Sequence, residues 1–400
     1  MKKILLLGGS PQQVVAIKTA KKLGYYTVLC DYLPDNPGQY VADKFYNEST
    51  TDVDAVYRIA KEEKVDGILA YASDPAALPA AIVSEKLGLP TTPSESVAIL
   101  GVKHLFRKFL AENNFACPKH FSFAPDMDVN EINENLKNLH FPIIIKPTDS
   151  SGSKGVTKLL NVEKLSEAIK AADGYSRNKI LIAEEFIERG FPEVIGGDIF
   201  VWDGKIVLYG EMSCLRDLEG KGLIPLGEKK PTGLNSYQTE QVHKELQRIV
   251  DVLGVKFGEL NIEIILDQED KVHFLELGPR AGGNMIPLQL SDAFGVDLVK
   301  ANVLAAMGEE PELNPMEQSG CYMHYVLHSY EDGIFSDVEY AKEIEPFIYR
   351  KVIYKNEGDK VECFDGAGKA LGIVFFHFET YDQMMDFCKR KDELVKIMLK

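Results

Sequence analysis

Two short runs, GELNIEIIL (258–266) and KVHFLEL (271–277), flank the polar stretch Asp267–Asp270 and have the composition of strands joined in a hairpin. With Glu269 and Asp270 at the tip, Glu263 falls opposite Glu276 and Asn261 opposite Gly278. Two carboxylates facing each other on one face of a sheet repel unless a cation lies between them. Hard carboxylate oxygens suit Mg²⁺, with Mn²⁺ as a second candidate. Solvated acids on an outer face are the plain alternative. Against it, Ile262, Ile264, Leu275 and Leu277 flank the two glutamates, so the hairpin also has a greasy face.

Gly278-Pro279-Arg280-Ala281-Gly282-Gly283-Asn284 follows directly. An arginine can bind phosphate oxygens bidentately, and paired glycines let backbone N–H groups approach an anion. A second candidate is FPIIIKP (141–147) with the loop TDSSGSKGV (148–156). Lys146 ends an apolar strand, where an unpaired charge is costly to bury, so it is expected to meet an anion. The Ser- and Gly-rich loop, with Ser151, Gly152 and Gly155, suits a flap donating N–H and O–H groups to phosphates. It is not a Walker A loop, because no GxxxxGK[ST] occurs. A polar surface turn is the bland reading of the loop alone.

These residues need elements to hold them. KILLL (3–7), YTVLC (26–30) and GILAY (67–71) read as buried strands, alternating with a helix opened by Ser10-Pro11, one over 52–64 and one opened by Asp74-Pro75. This order predicts a doubly wound parallel sheet over residues 1–93, with ligands near the carboxyl ends of its strands. The pattern from Ser94 to about Asn114 predicts one amphipathic helix, within a linker over 94–116. A small α+β lobe over 117–190, a larger one over 191–310 with a helix at Ser236–Leu253, and a strand-rich unit over 311–400 follow. The stretch Leu218–Asn235 is the expected mobile loop.

In this order and spacing, GVKHLF, FPIIIKP, the Gly/Ser loop, EEFI (184–187), NIE (261–263) and ELGPRAGG resemble the ATP-grasp superfamily of carboxylate–amine or thiol ligases. Similar layouts occur in biotin carboxylase, phosphoribosylglycinamide ligase, carbamoyl-phosphate synthetase and L-amino-acid ligases. The resemblance runs from the N-terminal sheet to about residue 310 and implies a two-lobed ATP-grasp fold behind a pre-grasp domain. It implies that Lys103 and Lys146 contact ATP phosphates and that Glu184 accepts from the adenine amino group. It places Glu185, Phe186 and Ile187 along the ring, with the backbones of Glu185 and Ile187 at its edge, and gives Glu193 the ribose. Glu263 and Glu276 would hold Mg²⁺, Arg280 the transferring phosphoryl group, and Arg216 would be a second cation there. The family's usual Glu-x-Asn ends here in Gly278, so Asn261 is the candidate replacement. The implied activity joins a small-molecule carboxylate to an amine through an acyl phosphate, and homodimers are common among such proteins. A phosphoribosylamine–glycine-type purine ligase and a non-catalytic nucleotide-binding regulator stay open.

The remaining features exclude more than they assign. At 400 residues the chain exceeds a single core, so several domains are expected. With 61 acidic against 45 basic residues the net charge is −16, a poor surface for nucleic acid or an anionic membrane. Six cysteines without a CxxC pair suggest reduced thiols in a cytoplasmic protein. The apolar run of MKKILLLGG is too short for a signal peptide. GGSPQQ lacks the GxGxxG spacing of a dinucleotide site. Cys321, His324 and His328 form C-x2-H-x3-H in a strand-like run, where semi-polar packing is a better expectation than zinc.

Overall fold

The computed structural model describes every residue except 151, 153 and 217–223. The chain opens with β1 (Lys3–Leu7), α1 (Val14–Lys22), β2 (Tyr26–Cys30), β3 (Lys44–Tyr46), α2 (Val53–Glu63), β4 (Gly67–Leu69) and α3 (Asp74–Leu87). The strands form a parallel sheet in the order β3-β2-β1-β4. KILLL is buried on both faces: Ile4 and Leu6 pack toward α1, Leu5 and Leu7 toward α2 and α3. The short strand β3 was not evident in the sequence.

Helix α1 begins at Val14 rather than at Ser10-Pro11. The intervening turn is filled by Gln13, whose amide accepts from Ser10 N–H (2.9 Å) and donates to the Tyr71 carbonyl (2.9 Å).

Two helices follow, α4 (Ser94–Gly101) and α5 (Lys103–Glu112), instead of the single helix expected over 94–114. Val102 is extended (φ −127°, ψ 111°), and the Lys103 N–H donates to the Thr148 carbonyl (2.8 Å). The break therefore starts a fresh helix with Lys103 in its first turn, tied to the next lobe. That lobe holds β5 (His120–Phe123), α6 (Val129–Leu136), β6 (Ile143–Pro147), β7 (Thr157–Leu159), α7 (Leu165–Asp173) and β8 (Leu181–Glu185). Its antiparallel sheet runs β5-β8-β6-β7 over a core of its own.

The larger lobe contributes β9 (Ile195–Trp202), β10 (Lys205–Arg216), β11 (Pro225–Lys230), α8 (Ser236–Leu253), β12 (Phe257–Leu266), β13 (Val272–Gly278), α9 (Ile286–Phe294) and α10 (Leu298–Ala306). The C-terminal segment adds β14 (Cys321–Leu327), β15 (Gly333–Tyr340), β16 (Ile348–Ile353), β17 (Lys360–Val361), β18 (Gly372–Phe378), α11 (Tyr381–Leu394) and β19 (Val395–Leu399). One antiparallel sheet of eight strands runs β13-β12-β9-β10-β11-β14-β18-β16, so the sheet continues across residue 311. Of the C-terminal strands, β17, β15 and β19 form a sheet of their own in the order β17-β15-β19. Part of the expected mobile loop is thus β11, an interior strand, and 217–223 lies outside the described residues. Helices α8 and α5 cover one face of the sheet and α9 and α10 the other. Helix α10 also packs Val299 and Val303 on the N-terminal sheet, joining the two units. Among the described residues, no helix is long and apolar enough to cross a membrane.

Helix α8 starts at a capping box in which the Asn235 side chain accepts from Gln238 N–H, and its buried face supports the glutamate hairpin. Replacing Asn235 by Ala is expected to lower stability by about 1 kcal/mol in urea unfolding, with the denaturant slope unchanged.

Candidate active site

The hairpin β12–β13 pairs Asn261 with Gly278, Ile262 with Leu277 and Glu263 with Glu276. The expected register is present, but the turn is not where it was expected. Asp267 N–H donates to the Lys271 carbonyl (3.2 Å), and from there the pairs run Leu266–Val272, Ile265–His273 and Ile264–Phe274. A bulge then leaves Leu275 as an extra residue, and this one-residue offset brings Glu276 opposite Glu263. Ile262, Ile264, Phe274 and Leu277 enter the core under α8, while the two glutamates stay about one-third exposed on the other face.

Arg107 holds the bulge. Its guanidinium is fully buried and donates to the carbonyls of Phe274 (3.2 Å) and Leu275 (3.0 Å). Its Nε donates to Glu184 Oε2 (2.9 Å), and the other Glu184 oxygen accepts from Lys146 Nζ. Burial raises the Glu184 pKa, but Arg107 and Lys146 outweigh it and hold the carboxyl at about 2. Burial lowers that of Lys146, opposed by Glu184. The Glu184 carboxylate, expected at the adenine, is here paired with two cations and positions Lys146. Arg107 was not singled out in the sequence. It lies one helical turn after Lys103 and next to the buried Phe106 and Leu110, a pattern that could have identified it.

Other cations approach the same cleft, each with a partner. Lys103 Nζ donates to the Ser150 carbonyl (2.6 Å) and lies 3.4 Å from Glu276. Arg216 donates to Glu263 (3.1 Å). Arg280 meets Asp74, at the start of α3, through two hydrogen bonds of 2.7 and 2.8 Å. Burial works against the Arg280 charge, but Asp74 dominates and raises its pKa. Sequence reasoning treated Asp74 only as a helix start and missed this pairing.

The turn bearing Arg280 is pinned by buried Asp198, which accepts from Gly282 N–H (2.8 Å) and from Asn261 Nδ2 (2.8 Å). Asn261 Nδ2 also donates to the Gly197 carbonyl (2.9 Å), so its amide nitrogen is committed to this support. A Cβ at Gly282 would lie 2.7 and 2.8 Å from the Asp198 oxygens, so the close approach requires glycine. Nearby Glu228, on β11, is pushed up to about 8 by burial and by Asp198. The sequence carried no signal for it, because its strand had been read as a loop.

A cavity of about 350 Å³ between the two lobes is bounded by Lys146, Lys158, Phe186, Ile187, Ile265 and Leu275, with Lys103, Arg216, Glu263 and Glu276 at one end. Lys158 Nζ stands 3.4 Å from the Phe186 ring centroid. Glu185 N–H donates to the Lys119 carbonyl and Phe186 N–H to that of Pro142. Glu193 pairs with the buried Lys229. Gly152 and Gly155 are left-handed (φ +67° and +71°), the backbone freedom expected of the flap, and Ser151 lies outside the described residues. On β14, His324 Nδ1 faces Gln289 and His328 Nδ1 the Val326 carbonyl, and burial lowers His324 to about 3.

The family model for the carbamoyl-phosphate synthase L chain, ATP binding domain, matches residues 103–313. The carbamoyl phosphate synthase large chain, C-terminal section, of Aquifex aeolicus is 24% identical over 94% of this chain and 72% of that protein. Of the full-length large chain of Thermotoga petrophila, the chain spans 29%. An L-amino acid ligase from Bacillus licheniformis shares the fold at a TM-score of 0.83, with 18% identity over 100% of this chain and 99% of that one. The biotin carboxylase domain of Hydrogenobacter thermophilus 2-oxoglutarate carboxylase, solved with MgADP and bicarbonate, does so at 0.78, with 18% identity over 100% and 91%.

Removing one partner from a buried charge network is strongly destabilising, so Arg107→Leu is expected to lower stability by about 3–5 kcal/mol in urea unfolding. The stabilisation carried by Glu184 is full above its ordinary pKa of 4.5 and is lost as pH falls toward 2. Urea unfolding at about pH 7 and about pH 3.5 is therefore expected to show a larger acid loss in the wild type than in Glu184→Gln.

Proposed function

The chain belongs to the family of the carbamoyl-phosphate synthase L chain ATP-binding domain, an ATP-grasp ligase family, and from this we propose that it activates a small carboxylate as an acyl phosphate and transfers the acyl group to an amine. The observation that carries this reading is the directly opposed pair Glu263–Glu276, with Lys103, Lys146 and Arg216 lining the same cavity and Arg280 within electrostatic reach of Glu276. Two carboxylates so placed repel each other, and they offer hard oxygens on one face, the donor set of Mg²⁺ or Mn²⁺. Glu263 and Glu276 would hold the ion, with Asn261 behind them through Asp198. Bound there, the ion would neutralise phosphate charge as the phosphoryl group moves.

Lys103 and Lys146 bind the phosphate oxygens of ATP, each exchanging part of its present ion pair for the nucleotide. Ile187, Ile265 and Leu275 sandwich the base, and Glu193 takes the ribose hydroxyls. A carboxylate oxygen attacks the γ-phosphorus, the bond to the β-phosphate oxygen breaks, and ADP leaves. Arg280, with Arg216 as second cation, holds the equatorial oxygens of the transferring group and then the acyl phosphate. The amine attacks the acyl carbon, phosphate departs with the bonding electrons, and the ammonium proton passes to solvent or phosphate. Closure of the loop 148–156, of which 151 and 153 lie outside the described residues, would shield the intermediate from water.

The test is release of ADP and phosphate from MgATP with panels of carboxylates, with and without amines. At least one pair is expected to stimulate release, EDTA to abolish it, and Glu276→Gln to reduce it by about 100-fold or more. If ATP raises the melting temperature but no pair stimulates release, the protein is a nucleotide-binding regulator instead.

A further inference from the structure

A second cavity, of 290 Å³, lies on the far side of Glu276 from the nucleotide cleft. The two share Ser150 and Glu276 as a common wall, so the second opens where the γ-phosphate end of a nucleotide would lie. Its other walls come from the N-terminal unit and α4: Val53, Leu78, Ile82, Val97 and Ala98. Leu78, Ile82 and Ala98 are only half-buried, so their side chains form its surface rather than the core behind it.

The charged groups at its edge are already engaged. Asp74 is held by Arg280. Asp149 accepts from the backbone N–H groups of Arg177 and Asn178. Arg177 itself stands at the mouth with a 63% exposed side chain. An aliphatic body entering here leaves water for apolar walls, a favourable transfer. A phosphate ester would be stripped of water against hydrocarbon, a costly one.

Resting on the ligase reading above, we propose that this cavity receives the tail of the carboxylate substrate. That substrate is then a monocarboxylic acid with a branched aliphatic or compact aromatic tail, and not a phosphorylated sugar derivative. Its carboxylate lies at the Glu276 end, toward Lys103 and the turn of Arg280, and its tail points toward Leu78 and Ile82.

The experiment measures ADP release from MgATP with branched-chain and aromatic monocarboxylic acids, with bicarbonate and formate, and with phosphoribosyl compounds, each with an amine acceptor. Three variants of the full chain are compared: Ala98→Phe, which fills the cavity, Leu78→Asn, which makes a wall polar, and Leu78→Met, which keeps it apolar. Apolar acids are expected to stimulate release. Their KM is expected to rise about tenfold or more in the first two variants and to stay near wild type in Leu78→Met, with the KM for ATP unchanged in all three. Turnover with bicarbonate, formate or phosphoribosyl compounds alone, indifferent to Ala98→Phe and Leu78→Asn, overturns this assignment and leaves the ligase reading standing. Silence with every acid while MgATP still raises the melting temperature overturns both.

Discussion

A buried chain of charge, Arg107–Glu184–Lys146, is the constraint on which the rest of the cleft depends. Arg107 belongs to α5, Glu184 to β8 and Lys146 to β6, and Arg107 also binds two carbonyls of β13. One guanidinium thereby fixes the linker, the small lobe and the metal-candidate hairpin relative to one another. Planarity and five donors allow this, and a lysine could not replace it. An unpaired ion in the same place would be intolerable, so the network stands or falls as a unit.

The bulge gives this contact its chemical meaning. A bulged strand turns successive carbonyls out of the ladder, and Arg107 takes both of them, at Phe274 and Leu275. The extra residue resets the register so that Glu276 meets Glu263. Without it, Leu275 would stand opposite Glu263, and the two carboxylates would fall on different faces. The orientation of the pair is tied to a residue more than 150 positions away in sequence.

The cleft waits in a charge-balanced state. Lys103, Lys146, Arg216 and Arg280 each sit beside an acid. A net charge of −16 disfavours a polyanion at long range, but that charge belongs to the whole surface, whereas the cleft gathers cations whose partners are local. Preorganised partners keep long side chains in place, so little ordering is left to do when a nucleotide arrives. The second cavity differs in kind, with charges only at its edge.

Much of this was legible in the sequence, for local reasons. Apolar runs bounded by turn residues identified β1, β2 and β6, a helical period identified α8, and alternation in two short runs identified the hairpin and its facing glutamates. The types and order of Lys103, Lys146, Glu263, Glu276 and Arg280 carried the resemblance to the ligase superfamily, and the family model matches the span that holds them, residues 103–313. The break at Val102, the interior strand β11, the extension of the large sheet across residue 311, and the pairings Arg107–Glu184 and Arg280–Asp74 were settled only by tertiary structure. Each depends on contacts between distant segments: a polar strand such as PLGEKK becomes interior only where acids from elsewhere in the chain, Glu193 and Glu317, meet its lysines, and an arginine is buried only where a carboxylate and unpaired carbonyls await it. Periodicity along the chain determined which residues could do chemistry, and long-range charge pairing decided how they face one another.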